Sequence, residues 1–239
     1  NGVSIEVVRD YDEMSRRAGE IILGKIHAVP SLSFLLPTGT TPLGVYKLLR
    51  EHDESLFAGV RFFNMDDYCQ KDGVLVPENH PASYRLFMKK NLFGPMGKFT
   101  SYFPESENVE MPGAYDGIIA RMGGIDLCLN SMGEDGHTFG FNFPGTSFES
   151  QTRIVKVHSE TKGVNERLTG LETPDYAITT GIKTGMGARE VLFLVSGERK
   201  AKKLREVVYG PITEDVPASV LRRHPNCTWI VDEEAARML

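Results

Sequence analysis

The sequence predicts an α/β fold: a mostly parallel sheet with helices on both faces. Short apolar, β-rich runs alternate with amphipathic stretches almost throughout. A chain of 239 residues with 41% hydrophobic content is long enough to bury the core of one large α/β domain. No internal repeat, low-complexity tract or Pro/Ser-rich linker divides it, so residues 1–239 are expected to form a single domain.

The elements follow in order. A first strand at Ser4–Val8 leads to a helix over Asp12–His27, with Met14, Ala18, Ile21 and Lys25 stacked along one side. The second strand, Ser33–Leu36, lies in the run LLPTGTTPLGVYKLL, which passes through a small-residue turn into a helix start. Thr41 suits the N-cap and Pro42 the first helical position, where a missing N–H costs nothing. Leu43, Tyr46 and Leu49 then recur at helical spacing and give this helix a core face. Arg61–Met65 reads as the third strand, and Lys71–Asn79 is the most loop-like segment. His80 opens a helix over Ala82–Leu92, and another helix covers Ala114–Met122. Further strands are expected at Ile125–Asn130, Arg153–Val157, Tyr176–Thr180, Val191–Val195 and Thr228–Val231. Helical patterns at Arg199–Val208 and Pro217–Arg223 separate the last two strands.

Bulk properties exclude several functions. A net charge of −5 with no compensating basic run argues against a nucleic-acid partner. Three scattered cysteines, Cys69, Cys128 and Cys227, suit a reducing compartment better than a disulfide framework. Cys128, inside an apolar run, reads as a core filler. No stretch approaches the length of a membrane span, and no signal-peptide pattern opens the chain. The expectation is a cytoplasmic protein without membrane partners.

In sheets of this kind ligands collect beyond the carboxyl ends of the strands, so the loops there carry the candidate chemistry. At the second strand's end, Gly39 lets backbone approach an anion, Thr38, Thr40 and Thr41 offer hydroxyls, and a helix N-terminus adds free N–H groups. The alternative is an ordinary threonine-rich turn. No Gly-Lys-Ser/Thr follows, so this is not a nucleotide-binding P-loop. Asp66 and Asp67 follow the third strand; crowded carboxylates can transfer protons, hold a metal or cap a turn. Gly133-Glu134-Asp135-Gly136-His137-Thr138 follows the apolar strand Ile125–Asn130. There Asp135 can orient His137 for acid/base work, while Gly133 and Gly136 permit the tight turn. A metal reading of Asp-x-His lacks third and fourth ligands at convincing spacing, and a merely satisfied loop histidine is the bland alternative. Arg167 and Lys200 can each hold a phosphate, or lie solvated on the surface. Gly185-Met186-Gly187 is too short to mark a dinucleotide site.

The ordered set LPTGTTP, FNMDDY, NHPASYRLFM, GGIDLCLNSMGEDGH, TRI, NER, AITTGIKT, SGERKA and VPASVLRRHP resembles the glucosamine-6-phosphate deaminase/isomerase family. That family shares a superfamily with 6-phosphogluconolactonase, and the likeness runs from about Leu36 to Leu239. The resemblance implies a three-layer, Rossmann-like sandwich and a sugar 6-phosphate substrate handled without metal or organic cofactor. Position by position, it implies that Thr38, Gly39, Thr40 and Thr41 cradle the phosphate, with Arg167 and Lys200 clamping it. Asp66 matches the carboxylate that shuttles a proton between C2 and C1, and Asp67 occupies the neighbouring acidic position. His137, oriented by Asp135, matches the histidine that assists opening of the pyranose ring. The implied enzyme is a cofactor-independent deaminase/isomerase of hydrolase type, which opens the ring, isomerises through an enol and releases ammonia. Sequence alone leaves open whether copies of the chain form a homo-oligomer.

Family deaminases follow the histidine with Asn-Glu-Pro, whose glutamate supports it; here Phe143 precedes Pro144 and one residue is extra. Either Asp135 suffices or Glu149 reaches in. EDGHT followed by FPGT resembles the lactonase branch, in which the histidine activates water against a lactone carbonyl. Against that branch, MDDY and HPASYRLFM resemble the deaminases. A divergent isomerase or a phosphosugar-binding protein is the third reading. Val155 follows TRI where a basic residue is expected, which counts against the allosteric machinery of some deaminases.

Overall fold

The computed structural model describes residues 4–96, 99–105, 114–170 and 172–239. Its main sheet contains β1 (Ile5–Val8), β2 (Ser33–Leu36), β3 (Arg61–Asn64), β5 (Thr100–Tyr102), β6 (Leu127–Ser131), β9 (Glu190–Val195) and β10 (Cys227–Asp232). The spatial order is β1-β10-β9-β6-β2-β3-β5, and every neighbouring pair is parallel. Alternate residues of these strands feed opposite faces. Phe34, Leu36, Leu127, Leu129, Leu192 and Leu194 enter one core, with Met14, Ala18, Ile22 and Ile26 of α1 (Tyr11–Ala28) against them. Leu35, Cys128, Val191, Phe193 and Val195 enter the other, beneath α4 (Ala114–Arg121) and α7 (Ala201–Tyr209). These two-sided strands explain why the sequence shows continuous apolar runs there.

The α1 stripe is rotated from the expected one: Ile22 and Ile26 are buried, Ile21 is half-buried, and Lys25 reaches Glu190 at 2.5 Å. Its start is a reciprocal cap, in which Glu13 N donates to Asp10 and Arg9 N donates to Glu13, both at 2.9 Å. The helix after β2, α2 (Leu43–Arg50), is not capped by the Thr41 side chain; that hydroxyl instead accepts from Lys200.

One strand group departs from the single-sheet expectation. β4 (Asp66–Cys69), β8 (Tyr176–Thr179) and β7 (Arg153–Lys156) form a separate antiparallel sheet in that order. Met65 is the pivot: its N–H donates to Leu36 O of the main sheet, and its carbonyl accepts from Thr180 N. Apolar alternation reports which face is buried but not which strand pairs with which, so the sequence hid this split. β4, β5 and α5 (Ser159–Thr169) were not anticipated, and the helix expected over Ala82–Leu92 is α3 (Tyr84–Met88) continued by a π turn at Lys89–Phe93. Among the described residues no helix is long and apolar enough to cross a membrane.

Candidate active site

From β2 the chain builds the sheet outward through β3 and β5, then returns to place β6 on the opposite side of β2. Loops leaving β2 and β6 therefore diverge at a topological switch point, where open α/β sheets bind ligands. A cleft of about 270 Å³ opens there, bordered by Thr38–Thr41, Asp66, the Asp135–His137 loop and Lys200.

The threonine turn is fastened from behind. Tyr46 OH donates to Pro37 O, and Tyr11 OH donates to Thr40 O at 3.0 Å while accepting from Gly44 N at 2.8 Å. Among the described residues no protein acceptor takes the N–H groups of Gly39, Thr40 or Thr41. Gly39 lies at φ +98°, a conformation that side chains disfavour. Lys200 Nζ arrives from beyond β9, donating to Thr41 Oγ1 at 3.1 Å and Ser131 Oγ at 3.4 Å. Desolvation brings its ammonium down to about 8, opposed by the charges of Glu134 and Asp232. Free amides, hydroxyls and a partly desolvated cation are together suited to hold an anion.

The paired carboxylates separate in role because successive residues of β4 face opposite ways. Asp66 borders the cleft, is 4% exposed, and its Oδ1 has no hydrogen-bond partner. Burial, reinforced by Asp67, pushes its carboxyl well above the usual range. Asp67 turns away from the cleft and ties down α3. It accepts from Tyr84 N at 2.7 Å, Tyr68 N at 2.8 Å and Arg85 Nε at 2.8 Å. In this structure the Asp67 oxygens are engaged by an internal ion pair with Arg85 and by backbone N–H groups, and Asp67 does not border the cleft.

His137 Nδ1 meets Asp135 Oδ1 at 2.7 Å, and the same oxygen accepts from His137 N at 3.1 Å. Burial raises the Asp135 carboxyl, but hydrogen bonds and charge from His137 outweigh it and bring it down to about 2. Gly136 takes the left-handed conformation (φ +91°) that the turn requires. Gly133 serves differently: a Cβ there would lie 2.2 Å from the His137 ring. Behind the loop, Asn130 donates to Thr138 Oγ1 and accepts from Phe139 N, while Asn142 Nδ2 gathers the carbonyls of Thr138, Phe139 and Thr180. Phe143 stands edge-on to His137 (ring centroids 5.3 Å) and stacks flat on His158 at 3.9 Å. Glu149 does not reach in; it pairs with Lys183 on the surface.

The structure thus brings together Thr38, Gly39, Thr40, Thr41, Asp66, Asp135, His137 and Lys200 around one cleft. Arg167 is exposed on α5, with its guanidinium beside Gly163, and it does not border the cleft. The two-cation clamp read from sequence is not assembled here. Sequence reasoning also missed Tyr84, Asn130, Glu160, Thr161 and Asn165, which border the cleft as well. Asn165 was visible only as a neighbour of Arg167; it donates to Tyr68 OH at 2.6 Å. Gly185, rejected as a dinucleotide signal, makes room for the Phe139 ring, which a Cβ would meet at 2.1 Å. Among the described residues no three His, Cys, Asp or Glu side chains converge as a metal site.

The chain and its fold have known relatives. The family model for glucosamine-6-phosphate isomerases/6-phosphogluconolactonase matches residues 9–229. A glucosamine-6-phosphate deaminase of Clostridium acetobutylicum is 38% identical, covering 99% of this chain and 100% of that protein. One from Rhodopirellula baltica is 36% identical over 100% of this chain and 97% of its own length. The solved structure of a monomeric glucosamine-6-phosphate deaminase superposes with a TM-score of 0.90 at 31% identity, covering 99% of this chain and all of that one. The 6-phosphogluconolactonase of Trypanosoma cruzi shares the fold, with a TM-score of 0.79 at 23% identity over 100% of this chain and 99% of its own. A family model matches nearly the whole chain, and relatives above one third identical cover it along almost their full length. The chain belongs to the glucosamine-6-phosphate isomerase/6-phosphogluconolactonase family.

Proposed function

We propose that the chain is a glucosamine-6-phosphate deaminase, acting in the cytoplasm on an amino-sugar 6-phosphate with side-chain chemistry alone. The Thr38–Thr41 turn and Lys200 anchor the phosphate, and binding energy from that remote group orients the sugar. His137, with Asp135 on Nδ1, uses Nε2 to take the anomeric hydroxyl proton and return it to the ring oxygen, which opens the pyranose. Asp66 then removes the C2 proton, leaving an enol, and delivers it to C1. Water adds to the resulting C2 iminium and ammonia leaves, so one water is consumed for each ketose phosphate formed.

The observation that carries this reading is the Asp66 carboxyl: buried, unpartnered at Oδ1, shifted toward neutrality and open to the same cleft as the anion site. A carboxylate left without a partner in the interior is costly. Carbon-acid proton transfer is a use for it, whereas lactone hydrolysis needs only a base for water. The test is incubation with glucosamine 6-phosphate, following ammonia and ketose 6-phosphate, beside a parallel incubation with 6-phosphogluconolactone. Stoichiometric ammonia and ketose support the proposal. Acid release from the lactone without ammonia from the amino sugar overturns it.

A further inference from the structure

Lys200 is held from outside the cleft. β9 ends at Val195 and turns through Ser196-Gly197 into a short 3-10 segment, Glu198–Lys200, before α7 begins. That turn hangs on Asp232, the last residue of β10. Asp232 accepts from Ser196 Oγ at 2.5 Å and from Gly197 N at 3.1 Å to each oxygen, and it also caps α8 (Glu233–Ala236) through Ala235 N at 2.8 Å. The carboxylate is 2% exposed and does not border the catalytic cleft. Gly197 sits at φ +92°, ψ 145°, a region essentially restricted to glycine, so the turn has one shape and Asp232 clamps it.

We propose that Asp232 is the positioning residue for phosphate recognition: it anchors the turn that aims Lys200 at the Thr38–Thr41 amides and supplies a buried counter-charge behind that ammonium. The inference rests on the phosphate reading of that turn given above. Two anionic groups act on Lys200, Glu134 from the cleft wall and Asp232 from beneath. Asp135 and His137 face it within the cleft. Asp12, Lys47, Glu198, Arg199 and Glu234 border the groove behind it. Of the two anions Asp232 is hydrogen-bonded to the turn itself, through Ser196 Oγ and Gly197 N, whereas Glu134 reaches the Lys200 segment through a looser 3.8 Å ion pair with Arg199. Geometry and charge therefore act through the same atom pair, and losing the carboxylate affects phosphate binding before it affects acid/base chemistry.

The experiment compares wild type with Asp232→Asn in the full chain, between pH 7 and 9.5. The readouts are KM and kcat for glucosamine 6-phosphate and competitive inhibition by inorganic phosphate. Asparagine can still accept from Gly197 N and Ala235 N but carries no charge. In wild type, KM and the phosphate inhibition constant climb once pH passes about 8, as Lys200 loses its proton. In Asp232→Asn the climb begins about one pH unit lower, which raises the inhibition constant roughly fivefold at pH 8 with kcat nearly constant. Placing Asp232→Asn in a Lys200→Arg background, whose cation does not titrate, abolishes that displacement. Ser196→Ala, which keeps the charge and loses one bond to the turn, raises KM without moving the pH at which the climb begins. A pH profile of Asp232→Asn that coincides with wild type overturns the counter-charge role, and an unchanged KM in Ser196→Ala overturns the anchoring role. Should Asp232→Asn not fold, Ser196→Ala still decides the anchoring. Wild type that neither binds inorganic phosphate nor turns over a sugar phosphate sinks the underlying reading instead.

Discussion

Gly140 offers the sharpest test of how tightly the fold holds the Asp66 carboxyl. It borders the cleft at φ +90°, and a Cβ there would lie 2.3 Å from Thr179 Oγ1 and 2.9 Å from Asp66 Oδ2. Asp66 and Thr179 are paired in register across β4 and β8, and Thr179 Oγ1 accepts from Phe141 N at 2.9 Å. Gly140→Ala must therefore push the threonine hydroxyl away by close to 1 Å, and β4 moves with its partner. The left-handed conformation costs alanine about 1 kcal/mol and the overpacking about 1–3 kcal/mol more. A misplacement of that size at the carboxyl proposed to move the C2 proton should lower kcat by about 10²-fold. KM should change little, because the turn proposed to bind phosphate lies on a different loop. Gly39→Ala is the contrast: φ is +98° but nothing lies within 4 Å of its Cβ, so only backbone strain is added, at the phosphate end. It should raise KM more than it lowers kcat. Steady-state kinetics on glucosamine 6-phosphate and urea unfolding of both variants separate the effects. A Gly140→Ala enzyme with kcat within twofold of wild type refutes the proposed precision of Asp66.

Asp66→Asn should lower turnover of the amino sugar by about 10²–10⁴-fold while inorganic phosphate still inhibits residual activity as in wild type. It should also unfold at equal or higher urea concentration at pH 7, since a carboxyl raised by folding destabilises the folded chain at any pH above its unfolded value. Asp135 has the opposite sign: its folded value of about 2 lies below the ordinary 3.8, so its contribution is full above roughly pH 4 and fades as pH falls toward 2. That contribution is about 2 kcal/mol. Asp135→Asn should flatten the acid side of the stability profile, and an unchanged slope between pH 5 and 2.5 counts against the Asp135–His137 coupling. Arg85→Ala strands the fully buried Asp67 without its ion-pair partner at 2.8 Å. It should cost about 3 kcal/mol in urea unfolding, and a loss below 1 kcal/mol would show that the backbone donors alone satisfy Asp67.

Much of the sheet was legible because both faces of its strands are buried, so Phe34, Leu35 and Leu36 or Val191 to Val195 appear as unbroken apolar runs. α5 was not, since its residues are largely polar and Ser159, Glu160 and Arg167 are exposed. The Asp-x-His spacing is local, two residues within one turn, and the observed 2.7 Å contact follows from it. The place of Arg167 outside the cleft was not legible for the converse reason: an exposed arginine on a polar helix carries no local signal of where its guanidinium points.

The sequence by itself determined the α/β class and the family, and it marked the threonine turn, the paired aspartates and the Asp-x-His turn as candidates, because periodicity and motifs are written in residues a few positions apart. Only the tertiary structure decided that Asp66 faces the cleft while Asp67 clamps Arg85, that β4, β7 and β8 leave the main sheet, and that Lys200 meets Thr41 across 159 positions. Pairing partners and side-chain facing are settled by which surfaces close against each other, and that is a property of the whole packed chain rather than of any segment.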